Sequence, residues 1–159
     1  MKYRTGIGYD VHQLRDGLPF YLGGVKVEHT KGAVGHSDAD VLIHAVCDAL
    51  LGAANLGDIG KHFPDTDMKY KGIDSKILLK ETYELVKKKG YVIENIDTVL
   101  CLQKPKVAPY LPLMKTTLSN VLGIDEDDIS IKATTTEHLG FEGREEGVSA
   151  LANVLIKTE

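Results

Sequence analysis

The hydrophobic pattern changes period several times along the chain, and each change predicts an element. Tyr3 to Tyr9 reads as a β-strand, and Phe20 to Val27, broken by Gly23-Gly24, as a hairpin or a bulged strand. From Val41 the period lengthens: Val41, Leu42, Ala45, Val46, Ala49, Leu50 and Ala53 recur at helical spacing. Ser37 or Asp38 is placed to cap that helix, which closes before Gly57. Gly57 to Asp67 is polar and punctuated by glycine and proline, the composition of a loop serving as a lid or substrate clamp. A second helix begins at Asp74 or Ser75, carries Ile77, Leu78, Thr82, Leu85 and Val86, and stops at Gly90, with Lys87 to Lys89 complementing its C-terminal dipole. Tyr91 to Gln103 is strand-like, and Pro109 to Leu122 predicts a third helix with its prolines in the first turn and Gly123 closing it. Ile129 to Thr135 and the alternating segment Val148 to Ile156 predict two more strands. The order β, hairpin, α, α, β, α, β, β predicts an α+β fold, a mixed sheet with helices packed on one face. The other sheet face then needs a cover, and self-association is the simplest one.

Composition narrows the class. At 159 residues and 43% hydrophobic, the chain can bury a good core but is too short to divide comfortably, so residues 1–159 are read as a single domain. Nineteen basic against 23 acidic residues leave a formal charge of -4, which argues against nucleic acid or an anionic membrane as partner. An anionic substrate must therefore be held locally. Nothing approaches a membrane-spanning run and the N-terminus enters a strand pattern directly, so a soluble cytoplasmic protein is expected. Cys47 and Cys101 sit in a helical and a strand pattern without a CxxC motif, and both read as small buried hydrophobes.

Candidate chemistry begins with Asp10 and His12, whose two-residue spacing puts them on one face of an extended chain. With His44 just inside the first helix, they make one carboxylate and two imidazoles, the donor set of a catalytic zinc site with an open position. Each has a plainer reading: Asp10 and His12 as a strand-end turn, and His44 paired with Asp40 or Asp48 along one polar helix stripe. The coherence of the rest of the chain favours the metal. His36-Ser37-Asp38 lies where a helix start offers free amides to a phosphate, or serves only to cap. Lys132 to Glu137 puts three threonine hydroxyls and a carboxylate at a strand end, and Arg144, between Gly140 and Gly147, offers a fork for phosphate or a solvated turn. Neither GxxxxGK[ST] nor GxGxxG is present, which weighs against nucleoside triphosphatase and dinucleotide chemistry.

Gly8-Tyr9-Asp10-Val11-His12, His36-Ser37-Asp38-Ala39-Asp40, Gly57-Asp58-Ile59-Gly60 with Phe63-Pro64-Asp65-Thr66-Asp67, and Lys132-Ala133-Thr134-Thr135-Thr136-Glu137 together resemble the 2-C-methyl-D-erythritol 2,4-cyclodiphosphate synthases. The resemblance runs from about Tyr3 to Lys157. It implies conversion of 4-diphosphocytidyl-2-C-methyl-D-erythritol 2-phosphate to the cyclic 2,4-diphosphate with release of CMP, in the non-mevalonate isoprenoid pathway. It also implies a homotrimer with active sites between subunits, the sheets facing the trimer axis. By resemblance, Asp10, His12 and His44 are zinc ligands, and Glu137 attends a second divalent ion, magnesium or manganese, at the diphosphate. His36 and Thr135 correspond to residues stabilising the transition state, with Ser37 a phosphate contact. Asp10 and His12 also border the substrate, and Asp58, Ile59 and Gly60 match contacts to its methylerythritol part, adjoined by Phe63, Pro64, Asp65, Thr66 and Asp67. Leu102, Pro105, Lys106, Val107 and Ala108 correspond to the cytidine pocket, Thr134, Thr136 and Glu137 to phosphate contacts, and Phe141 and Arg144 to residues near the substrate and the axis. The chain departs from the pattern at Leu102 and Lys104, where smaller residues are expected, and at Leu151, where some relatives carry a glutamate able to pair with the arginine. Without that partner, three axial Arg144 side chains are expected to offer a site for an anion.

Overall fold

Residues 1–159 are described by a computed structural model. Strand β1 (Tyr3–Asp16) opens the chain, followed by a hairpin of β2 (Tyr21–Leu22) and β3 (Val25–Lys26) and by β4 (Lys31–Ala33). Helix α1 (Val41–Ala53), the four-residue α2 (Ile59–His62) and α3 (Ser75–Lys88) come next, then β5 (Tyr91–Cys101), α4 (Leu111–Leu122), β6 (Ile129–Thr134), the short α5 (Gly140–Gly143) and β7 (Gly147–Thr158). The main sheet runs β4-β1-β7-β5-β6, all antiparallel neighbours except the β5–β6 pair. A parallel pair needs a long crossover, and α4 supplies it. The expected mixed sheet with helices on one face is therefore present.

Several boundaries differ from expectation, most of all those around Asp10 and Asp40. β1 continues seven residues past Tyr9, to Asp16, so Asp10 and His12 lie within the strand and not at its end. The cap of α1 is Asp40, whose buried carboxylate accepts the Ile43 amide at 3.1 Å and those of Gly23 and Gly24 at 3.0 and 2.7 Å. Ser37 and Asp38 stand just before that cap, in the bend leading into the helix. The loop from Gly57 to Asp67 contains α2, and α5 was also unforeseen.

Ten residues of α1 are buried, more than one face can account for. It lies across β1 and β7, where Gly6 and Gly8 pair with Val154 and Ala152. A Cβ at Gly8 would fall 1.9 Å from the Ala45 carbonyl oxygen, and one at Gly6 2.0 Å from that of Ala49. These glycines let backbone meet backbone, which locks the helix to the strand. The opposite sheet face is open: Ile7, Tyr9, Val11 and Leu151 are all exposed there. Cys47 is buried as expected, whereas Cys101 is only partly so. No helix is long and apolar enough to cross a membrane.

Candidate active site

Alternation along β1 turns Arg4, Gly6, Gly8, Asp10, His12 and Leu14 toward the helices, so the two candidate ligands follow the helix-contact glycines on one face. α1, held against those glycines, brings His44 of its first turn over them. Asp10 Oδ2 lies 2.8 Å from His12 Nε2 and 3.2 Å from His44 Nδ1, and the two imidazole nitrogens are 3.2 Å apart. Three donor atoms thus converge on one point, the arrangement a metal ion requires. His44 is paired with Asp10, not with Asp40 or Asp48.

The far side of each imidazole is engaged. His12 Nδ1 donates to the Val34 carbonyl at 2.8 Å, which leaves Nε2 with its lone pair toward the centre. His44 Nε2 meets Ser75 Oγ at 2.9 Å and Ser37 Oγ at 3.1 Å, and Ser75 donates onward to Asp38. This hydrogen-bonded shell suits neutral imidazole ligands. Burial would push the Asp10 carboxyl up, but hydrogen bonds and charge from His12 and His44 outweigh it and hold Asp10 at about 2. Burial would likewise lower His12, yet the Asp10 contact and the Val34 carbonyl raise it above its ordinary value. The cluster therefore favours positive charge at its centre, which either a proton or a metal cation can supply. Gly35 completes the packing, since a Cβ there would stand 3.1 Å from the His12 ring. Ser75→Ala is expected to weaken metal affinity about tenfold by freeing the His44 ring. A chelator competition titration reads this directly, and unchanged affinity would remove Ser75 from the site.

The donor triangle opens into a cavity of about 420 Å³ lined by His12, Gly35, His36, Ser37, His44, Ile59, Gly60, Phe63, Pro64, Asp65, Tyr70 and Leu78. Most candidates from the first half of the chain are thus brought together. Asp58 caps α2 at the Lys61 amide, and the Asp67 carbonyl accepts from His36 Nε2 at 3.0 Å, while Thr66 lies on the same loop. A second cavity of about 590 Å³ is lined by Leu102 to Ala108, Ala133, Thr134, Thr135 and His29, so the second group also converges. Thr136 and Glu137 follow on the adjoining turn, where the Glu137 amide donates to Thr135 Oγ1 at 3.3 Å. The cavities share no lining residue, and a single chain does not bring His36 and Thr135 into one site. Phe141 borders a third hollow with Val11, His12, Gln13, Glu146 and Gly147. Arg144 pairs with Glu146, two residues along the chain, Nε to Oε1 at 2.8 Å, and both side chains are exposed. Val34, Gly35, Ser75 and His29 were not foreseen. Only Ser75 carried a signal, as a candidate helix start.

The profile of the YgbB family matches residues 3–157. The chain belongs to that family. A YgbB-family relative in Bacteroides thetaiotaomicron, named 2-C-methyl-D-erythritol 2,4-cyclodiphosphate synthase, is 62% identical over 159 residues, 100% of both chains. Among solved structures, the bifunctional IspDF of Campylobacter jejuni matches with a TM-score of 0.96 and 45% identity, over 99% of this chain and 43% of that one. The CDP complex of Plasmodium falciparum IspF matches with a TM-score of 0.87 and 34% identity, over 99% and 97% of the respective chains. The fold is thus shared with solved IspF and IspDF structures from other organisms.

Proposed function

We propose that this chain converts 4-diphosphocytidyl-2-C-methyl-D-erythritol 2-phosphate to 2-C-methyl-D-erythritol 2,4-cyclodiphosphate with release of CMP, as a cyclodiphosphate synthase of the non-mevalonate pathway. The observation that carries this reading is the Asp10–His12–His44 triangle, whose two histidines line a cavity with His36 and Ser37, in a chain so similar to a synthase.

The reaction is attack by the 2-phosphate on the β-phosphorus of the same molecule. A phosphate monoester has a second pKa of about 6, so the nucleophile is already ionised near neutrality and needs no general base. CMP is a weakly basic leaving group, so little is asked of a general acid. The barrier is the approach of two anions in line, and the chain answers with position and charge. Asp58 and Gly60 bind the methylerythritol hydroxyls and fold the polyol, His36 and Thr135 donate to phosphate oxygens, and Ser37 adds a contact. Thr134, Thr136 and Glu137 hold the diphosphate, and Leu102 to Ala108 hold the cytidine. Asp10, His12 and His44 hold a divalent cation, zinc by their donor set, and Glu137 a second, magnesium or manganese. When bound, these ions supply charge neutralisation and orientation of the phosphates.

A substrate with cytidine at one end and a phosphorylated polyol at the other needs both cavities. We assign the first cavity to one subunit and the second to its neighbour, in a homotrimer whose open sheet faces meet at the axis, with Phe141 and Arg144 near it. Exposed Ile7, Tyr9, Val11 and Leu151 support that assembly. Residues 1–159 act as one domain, in the cytoplasm, with no nucleic acid or membrane partner.

Phosphorus NMR of the protein with substrate, zinc and magnesium, against a chelated control, tests the reading. CMP with a cyclic diphosphate, lost on chelation, is expected; inorganic phosphate would indicate a hydrolase, and binding without turnover a sensor module. Thr135→Ala should lower kcat about a hundredfold while changing KM little, as expected for a donor that acts in the transition state. An unchanged turnover number would refute that role.

A further inference from the structure

We infer that Asp48 is a positioning residue that sets the Asp58–Gly60 segment against the metal ligands, a role that rests on the function proposed above. Asp48 lies one turn beyond His44 on α1, on the same side of the helix. Its Oδ1 accepts the Ile59 amide at 2.7 Å. This is the one hydrogen bond joining residues 58–63 to α1; the others made by that segment are local, from Lys61 to Asp58, Phe63 to Ile59 and His62 to Leu56.

The short helix α2 has too few turns to hold itself in place. Its first amide is taken by Asp48 and its third by Asp58, so one end of the substrate segment is pinned to the buried helix that also presents His44. No cation pairs with Asp48. Burial and the charges of Asp10 and Asp58 raise its carboxyl above the ordinary range, while the Ile59 bond opposes that rise. Among these carboxylates the Ile59 amide is the largest influence favouring the charged form, with His44 adding to it. Because α1 is rigid, the distance from the ligand triangle to the hydroxyl-binding segment is set by this contact. A misplacement of about 1 Å in such a segment can lower a rate about a hundredfold.

The test compares Asp48→Ala with Asp48→Asn in the full-length, zinc-loaded protein. Asp48→Ala is expected to speed exchange of the Ile59 amide and raise KM, with kcat/KM falling about tenfold or more and zinc content unchanged. Asp48→Asn keeps an acceptor oxygen and should return both readings to within a few-fold of the wild type. If Asp48→Ala does not fold, Asp48→Glu, which moves the acceptor by one methylene, should show the same rise in KM. Wild-type exchange and kinetics in Asp48→Ala would overturn the proposal, as would Asn no better than Ala, or loss of zinc accounting for the defect. If the wild type itself releases no CMP, the functional reading fails, while Ile59 exchange still tests the contact.

Discussion

Gly8→Ala is expected to separate α1 from β1 and abolish the metal site. The new Cβ would lie 1.9 Å from the Ala45 carbonyl oxygen and 2.8 Å from the Ala49 nitrogen, both backbone atoms. No rotamer change relieves such a clash, so the helix must move. Overpacking in cores costs about 1–3 kcal/mol and sometimes more, and a clash with backbone belongs at the upper end or beyond. A helix displaced by even about 1 Å carries His44 out of a triangle whose sides are 2.8–3.2 Å. Denaturant midpoint and zinc stoichiometry measure the two consequences separately. Gly52→Ala is the control: it lies in the same helix, its Cβ would meet only the Ile7 carbonyl oxygen at 4.0 Å, and a gain of about 0.5–1 kcal/mol is expected. A Gly8→Ala protein with full zinc and an unchanged midpoint would contradict the packing argument.

His44→Ala should remove zinc and turnover together while the fold survives. The substitution leaves Asp10 and His12, and two ligands do not make the three-ligand site of a catalytic zinc. The ring stands at the cavity wall, not in the core, and alanine is the best helix former. Metal analysis, circular dichroism and CMP release from one preparation decide the matter. Full turnover by a zinc-free variant would sink the metal assignment.

The ligand set was legible because β-strands alternate faces, which fixes Asp10 beside His12 without further knowledge. The same ligands hid the strand's length. At positions 10 and 12 the inward face carries a carboxylate and an imidazole, so the run that reads as a strand stops at Tyr9, although Val11 continues the exposed face of Ile7 and Tyr9. His44 was legible as a residue type at a helix start, but its Ser75 partner lies 31 positions away, a pairing no local pattern encodes. Asp40 rather than Ser37 or Asp38 caps α1 because it alone also serves the Gly23-Gly24 amides, a tertiary demand. The four-residue helices α2 and α5 are too short to show a period. Both cavities follow from motifs read in order, yet their separation on one chain emerges only in three dimensions.

Gly6 and Gly8 also bear on how the sheet chooses its pairing. A one-residue slip of β1 against β7 would turn Ile7 and Tyr9 toward α1 and send Asp10 and His12 to the open face. A slot too narrow for a methyl group cannot admit an isoleucine or a tyrosine, so the misaligned sheet cannot close on its helix. The glycines thus reject wrong alignments as the strands assemble, and the pairing they select is the one that keeps Asp10 and His12 on the helix side of the sheet.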